Sequence, residues 1–167
     1  MDPQAIFENF RRTVTEHYFD MNGRVGRSQF WYFVLAYAAF AIVAAILSVI
    51  IFLPVLQLYH LAMLLPSAGM GARRLQDIGH DGKLIWIVIF AAFVSQLAAV
   101  ISVLSIGWLG FLVFAPSLAI LFLVNMAVLA ATVVLIYFWI QPGNPDTNAY
   151  GPPPPVFDPS RRASPVP

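Results

Sequence analysis

LIWIVIFAAFVSQLAAVISVLSIGWLGFLVFAPSLAILFLVNMAVLAATVVLIYFWIQPGNP, residues Leu84–Pro145, runs 62 residues without one Asp, Glu, Lys or Arg. A second uncharged stretch covers residues 28–72, where His60 is the one imidazole. The surface of a water-soluble domain needs charge every few residues, because about a quarter of its side chains are ionised. A bilayer needs the opposite, since roughly 20 apolar residues in a helix cross its hydrocarbon layer of about 30 Å. Both stretches therefore read as membrane-embedded, and the chain as a polytopic all-α protein.

Composition narrows the class further. Of the 167 residues, 60% are hydrophobic and 10% charged, which leaves room for one membrane domain with short tails. The net charge of +1 argues against nucleic acid as a partner. With no cysteine, disulfides and thiolate metal sites are excluded. No metal-ligand pair stands at helical spacing, and no glycine-rich phosphate loop or serine nucleophile turn occurs. No cofactor or metal is expected. The first apolar run begins near Phe30 after a polar segment and lacks the small-residue cleavage site of a secretory signal. It is expected to remain as the first span.

Spacing and punctuation predict four transmembrane helices in two hairpins. The first stretch divides at Leu53-Pro54 into 30–53 and 54–72, because proline suits a helix's first turn. The second divides into 84–106 and 117–140, with Gly107-Trp108-Leu109-Gly110 and Pro116 marking the connection. The second span is short and contains Pro66, which frees a backbone carbonyl one turn back, so it is expected to be kinked and packed inward. A re-entrant segment is the alternative for 54–72. All nine basic residues fall at 11–27, 73–83 and 161–162, and four spans place them on one side. Lys and Arg accumulate on the cytoplasmic side. Both termini and a loop over 73–83 are thus expected in the cytoplasm, with 30–140 as the membrane domain.

The flanking segments differ in character. Asp2-Pro3 reads as a cap and first-turn proline, and Ile6, Phe7, Phe10 and Val14 recur at helical spacing. Within residues 1–29 this predicts a short amphipathic helix, either on the membrane surface or packed on the loop. Trp31 and Tyr32 sit where interfacial aromatic anchors belong. Nine prolines crowd residues 142–167, which predicts a disordered Pro-rich cytoplasmic tail over 141–167.

Three segments carry a resemblance. Gly23-Arg24-Val25-Gly26-Arg27-Ser28-Gln29-Phe30-Trp31 precedes the first span, and Arg73-Arg74-Leu75-Gln76-Asp77-Ile78-Gly79 closes the second. Asn148-Ala149-Tyr150-Gly151-Pro152 follows the last span. Together they resemble the domain of unknown function 805 family of small bacterial inner-membrane proteins, over about residues 7–154. The resemblance implies the bacterial inner membrane and supplies no activity. The family often has His where Gln76 stands and a basic-Ser-Gly sequence where His80-Asp81-Gly82 stands.

Candidate chemistry concentrates at the cytoplasmic mouth. Arg24, Arg27, Arg73 and Arg74 belong near the headgroup plane, where guanidinium groups pair their donors with phosphate. Asp77 follows Arg73 by four residues and Arg74 by three, within reach on a continuing helix. Neutralisation of a basic helix end is the plain alternative. Gln96 and Asn125, near span centres, are expected as intramembrane polar contacts across helices. The sequence thus suggests a binding or scaffold module for membrane lipids, another membrane protein or a second copy of itself. A small homo-oligomeric transporter or channel, or an enzyme acting on phosphorylated lipids, stays open beside it.

Overall fold

At Phe52 the backbone takes a left-handed conformation (φ 53°) that ends one long helix, and Pro54 opens the next. This reversal builds the first of two helical pairs in the computed structural model, which describes residues 3–52, 54–105 and 111–158. Side chains of residues 96–117 lie outside that description, as do Asp2, the 107–110 connection and Arg161-Arg162. Five helices follow in order: α1 Pro3–Thr15, α2 Arg27–Ile51, α3 Val55–Asp77, α4 Leu84–Ser105 and α5 Phe111–Ile140. No strand occurs among the described residues, only an isolated bridge between Asn148 and Gly151. The expectation of an all-helical chain holds. Two helices are long and apolar enough to cross a membrane, Arg27–Ile51 and Leu118–Ile140, with mean hydropathies of 2.8 and 2.7.

The chain divides into two compact units, residues 83–140 and everything else. In the larger unit α2 packs against α3, and α1 packs against both. The hairpin is tied near its turn by Ser48, whose hydroxyl accepts from the Leu56 amide at 2.8 Å and donates to the Ala44 carbonyl. The first amides of a helix have no intrahelical acceptor, so Ser48 of α2 caps α3 in place of a local side chain. Apolar burial is uneven along the pair. Phe30, Phe33 and Ala36 of α2 meet a buried run from Ala68 to Asp77 of α3, whereas Ile42, Val49, Leu58 and Leu61 point outward.

Pro66 lies inside α3 and is buried. It cannot donate to the carbonyl four residues earlier, that of Ala62. The Tyr18 hydroxyl supplies the missing donor, reaching the Ala62 carbonyl at 2.6 Å. The inward packing expected of this span is met by its second half. The helix runs on through Asp77, so the loop expected over 73–83 begins only at Ile78. The stop is a Schellman motif: Gly79 (φ 86°) donates to the Gln76 carbonyl at 3.1 Å and His80 to that of Leu75 at 2.9 Å.

α1 is amphipathic, as its spacing implies. Phe10 stacks on Phe33 and Phe40, the Asn9 amide donates to the Gln29 carbonyl at 3.1 Å, and Thr13 is buried. Its charged face is self-contained. Glu8 accepts from Arg11 and Arg12, and these hydrogen bonds hold its carboxyl down to about 2.

In the smaller unit α4 and α5 pack on one another. α5 begins at Phe111, six residues ahead of the expected start, with Pro116 inside it. A proline so near the N-terminus removes a single i→i−4 bond, which a long helix tolerates. Asn125 has one described bond. Among the described residues it donates to the Leu121 carbonyl of its own helix at 2.8 Å. The Gln96 side chain lies outside the described residues.

The Tyr18 contact yields a thermodynamic cycle. Tyr18→Phe is expected to destabilise the protein in thermal unfolding by about 0.5–1.5 kcal/mol, the net contribution of a typical hydrogen bond. In a Pro66→Ala background the restored amide satisfies Ala62, and the same substitution should then cost less than half as much.

Candidate functional site

Asp77 ends α3 with its carboxylate enclosed, the side chain being 3% exposed. Two guanidinium groups converge on it. Arg24, from the segment before α2, donates through Nε to Oδ1 at 3.0 Å, and Arg74, one turn earlier on α3, donates through Nη1 to Oδ2. Their side chains are 1% and 0% exposed. The i, i+3 spacing on a continuous helix brings Arg74 to Asp77, and a backbone bond from the Val25 amide to the Arg73 carbonyl at 3.2 Å places Arg24.

Two cations against one carboxylate leave a buried excess charge, and backbone carbonyls after α5 absorb it. Arg24 Nη1 donates to the carbonyls of Asp146 at 2.8 Å and Gly151 at 3.2 Å, and its Nη2 to that of Asn144. Arg74 Nη2 donates to the Gln141 carbonyl. The segment also bonds directly to α3. The Asn144 amide donates to the Asp77 carbonyl at 2.9 Å, and the Asn148 side-chain amide to the Gln76 carbonyl at 2.9 Å. Asn148 Oδ1 in turn accepts from Tyr150, closing the turn that presents the Gly151 carbonyl.

These contacts correct one expectation. Residues 141–158 are not a disordered tail, because buried arginines need acceptors and this segment supplies them. Residues 159–167 lie outside the described chain. Gly143 shows how closely the segment approaches. A Cβ there would stand 2.1 Å from Asp77 Oδ2, an oxygen already fixed by Arg74.

The other expected residues have separate fates. Arg73 is turned away from Asp77; its Nη1 lies 3.7 Å from Asp20, and its Nη2 contacts the Met70 sulfur at 3.3 Å. Burial lowers the Arg73 and Arg74 guanidinium pKa values below their ordinary level, and the neighbouring Asp20 and Asp77 respectively raise them in part. Arg27 is exposed and lines a groove of about 300 Å³ at the start of α2. Ser28, Gln29, Asp77, Gly143 and the prolines 153–155 complete its walls, together with Phe157. The Arg27 charge is felt at Arg74, whose guanidinium pKa it lowers. Trp31 meets Phe30 edge-on at 5.3 Å, and Tyr32 packs on Phe157 at 5.7 Å.

So the three sequence motifs that resemble one family meet around a single carboxylate. A family model for proteins of unknown function (DUF805) matches residues 18–152, four-fifths of the chain. The chain belongs to the DUF805 family. No curated protein and no solved structure matches it. The matched range takes in every element of the Asp77 cluster, from Arg24 to Gly151.

Several residues of the cluster carry no signal in the sequence. Gln141 and Asn144 act through backbone carbonyls, which any residue supplies. Gly143 sits in a Pro-Gly-Asn-Pro run that reads as loop. Gln76 is buried at the centre, donating to the Met21 carbonyl at 2.9 Å, with Oε1 unpaired.

Removing the shared acceptor should be severe. Asp77→Asn is expected to lower stability by about 3–5 kcal/mol, since it leaves two buried guanidinium groups without their counter-charge. Asp146→Asn, which changes an exposed side chain and spares the carbonyl, should stay within about 0.5 kcal/mol. Thermal unfolding in mild detergent measures both; equal effects would contradict the assigned role.

Proposed function

We propose that this DUF805 protein is a four-span inner-membrane protein with both termini cytoplasmic, acting as a binding module for anionic phospholipid headgroups. Chain connectivity supports the span count. The chain leaves the larger unit at Gly82, which lies against Gln76 and Ala72, and re-enters it at Gln141 beside Arg74. An excursion that departs from and returns to one end crosses a bilayer an even number of times, as α4 and α5 would. The α2–α3 hairpin likewise begins at Arg24 and ends at Asp77, which hold one another. Arg24, Arg27, Arg73 and Arg74 lie at that end, in keeping with the bias of basic residues toward the cytoplasm.

The groove beside Arg27 carries the binding reading. Arg24 and Arg74 have their donors engaged by Asp77 and by backbone carbonyls, which makes them framework rather than headgroup ligands. Arg27, Ser28 and Gln29 form the first turn of α2, whose N-cap Gly26 makes no side-chain cap bond. A helix N-terminus favours an anion, and a guanidinium at its rim pairs with phosphate oxygens. The transporter reading rests on polar groups in the spans, and Asn125 spends its described bond on its own helix.

Arg27→Ala is expected to reduce phosphatidylglycerol retained in native mass spectrometry about tenfold, the loss of roughly 1.4 kcal/mol of a charge-assisted contact. Arg27→Lys should retain an intermediate amount, because a point charge replaces the paired donors. Retention unchanged in Arg27→Ala would overturn the proposal.

A further inference from the structure

α1 and the turn that follows it pack at positions well down the α2–α3 hairpin. At 1.5 Å per residue, Phe33 stands about 28 Å from the Phe52 reversal, Phe40 about 18 Å and Ala62 about 15 Å. Phe10 stacks on the first two of these, Phe7 touches Phe40 at 6.5 Å, and the Tyr18 hydroxyl reaches the third. A hydrocarbon layer of about 30 Å measured from that apolar reversal includes all three levels. Water-soluble packing does not account for the outward side chains at this depth. Phe7 is 54% exposed and Phe19 62%, and the adjoining surface is formed by exposed Phe40, Leu58 and Leu61. The charges of α1 are meanwhile gathered into pairs, Glu8 with Arg11 and Arg12, and of these Arg12 stands away from Phe7 on the helix while Arg11 lies one turn beyond it.

We infer that α1 and the turn at Tyr18-Phe19 form an interfacial element set into the cytoplasmic leaflet, with Phe7 and Phe19 against lipid. The inference rests on the reading of α2 and α3 as spans. An amphipathic helix in this position buries its apolar face about 5–10 Å into the boundary between headgroups and acyl chains. Its partner is the lipid surface itself, continuous with the outward faces of α2 and α3. The Tyr18 bond to the carbonyl freed by Pro66 then fixes the depth of the turn, because the proline opens that acceptor in the body of α3.

The chain has no cysteine, so single labels can be placed cleanly. The full-length protein carrying an environment-sensitive fluorophore at Phe7→Cys, Phe19→Cys, Arg12→Cys or Val49→Cys is reconstituted in phosphatidylethanolamine–phosphatidylglycerol vesicles. Nitroxide-labelled lipids then quench whatever touches them. Val49, 73% exposed on α2, reports whether that helix is in the bilayer. The expected result is strong quenching at Val49, with quenching at Phe7 and Phe19 at least about twofold above that at Arg12. Quenching at Val49 alone overturns the interfacial assignment and leaves the spans standing. Blue-shifted but unquenched labels at Phe7 and Phe19 mean that protein, such as a second copy, covers them, and overturn it too. An unquenched Val49 removes the span reading and this inference with it.

Discussion

A single carboxylate governs the end of the α2–α3 hairpin away from its reversal. Asp77 is withdrawn from water, and an isolated ionised carboxylate there would be prohibitively unfavourable. Its stability depends on Arg24 and Arg74, and theirs depends on it. One negative charge does not balance two positive ones, so the guanidinium groups also gather carbonyl oxygens from residues 141–151. Everything that closes this end follows from that imbalance: the return of the chain after α5, the close approach at Gly143, and the turn centred on Asn148. Buried ion pairs are weak sources of net stability, yet removing one partner is expensive. The cluster therefore acts chiefly to specify one arrangement of the segments it joins.

Much of the fold was legible because bilayer physics writes in long, uninterrupted strokes. The uncharged stretches, the break at Pro54 and the helix over 84–105 all follow from hydropathy and from proline's missing amide. Even the freed carbonyl below Pro66 was visible, although nothing in the sequence pointed to Tyr18 as its partner, 44 residues earlier. The end of α3 was placed too early because charge was taken to mean loop. Arg73, Arg74 and Asp77 are helical and buried because Arg74 and Asp77 pair one turn apart and Asp20, Arg24 and carbonyls after α5 complete their neutralisation. The same oversight made residues 141–158 look like a solvated tail. Proline content describes what a segment cannot pack by itself; it is silent about carbonyls recruited by distant arginines.

The candidate site was legible in its members and misread in their use. Arg24, Arg74 and Asp77 do gather, as headgroup binding required, but they satisfy one another. Arg73 turns to Asp20, and Arg27 alone of the four lines an open groove. The arginines of the motifs thus serve two ends in this chain. Two hold the framework, and one edges the surface proposed to meet phosphate. The DUF805 match over residues 18–152 covers the framework entirely and the groove in part, since its walls run on through residues 153–157.

The central claim is that the segment after α5 is clasped to the start of α2 through Asp77. Gly26 and Pro154 test it most directly, because a Cβ at Gly26 would stand 3.7 Å from the Pro154 ring, close to disulfide separation. In the Gly26→Cys/Pro154→Cys double variant, oxidised in native membranes and read by intact-mass spectrometry, the account predicts an intramolecular disulfide in most of the protein. Two free thiols in a chain that still inserts and folds would contradict it.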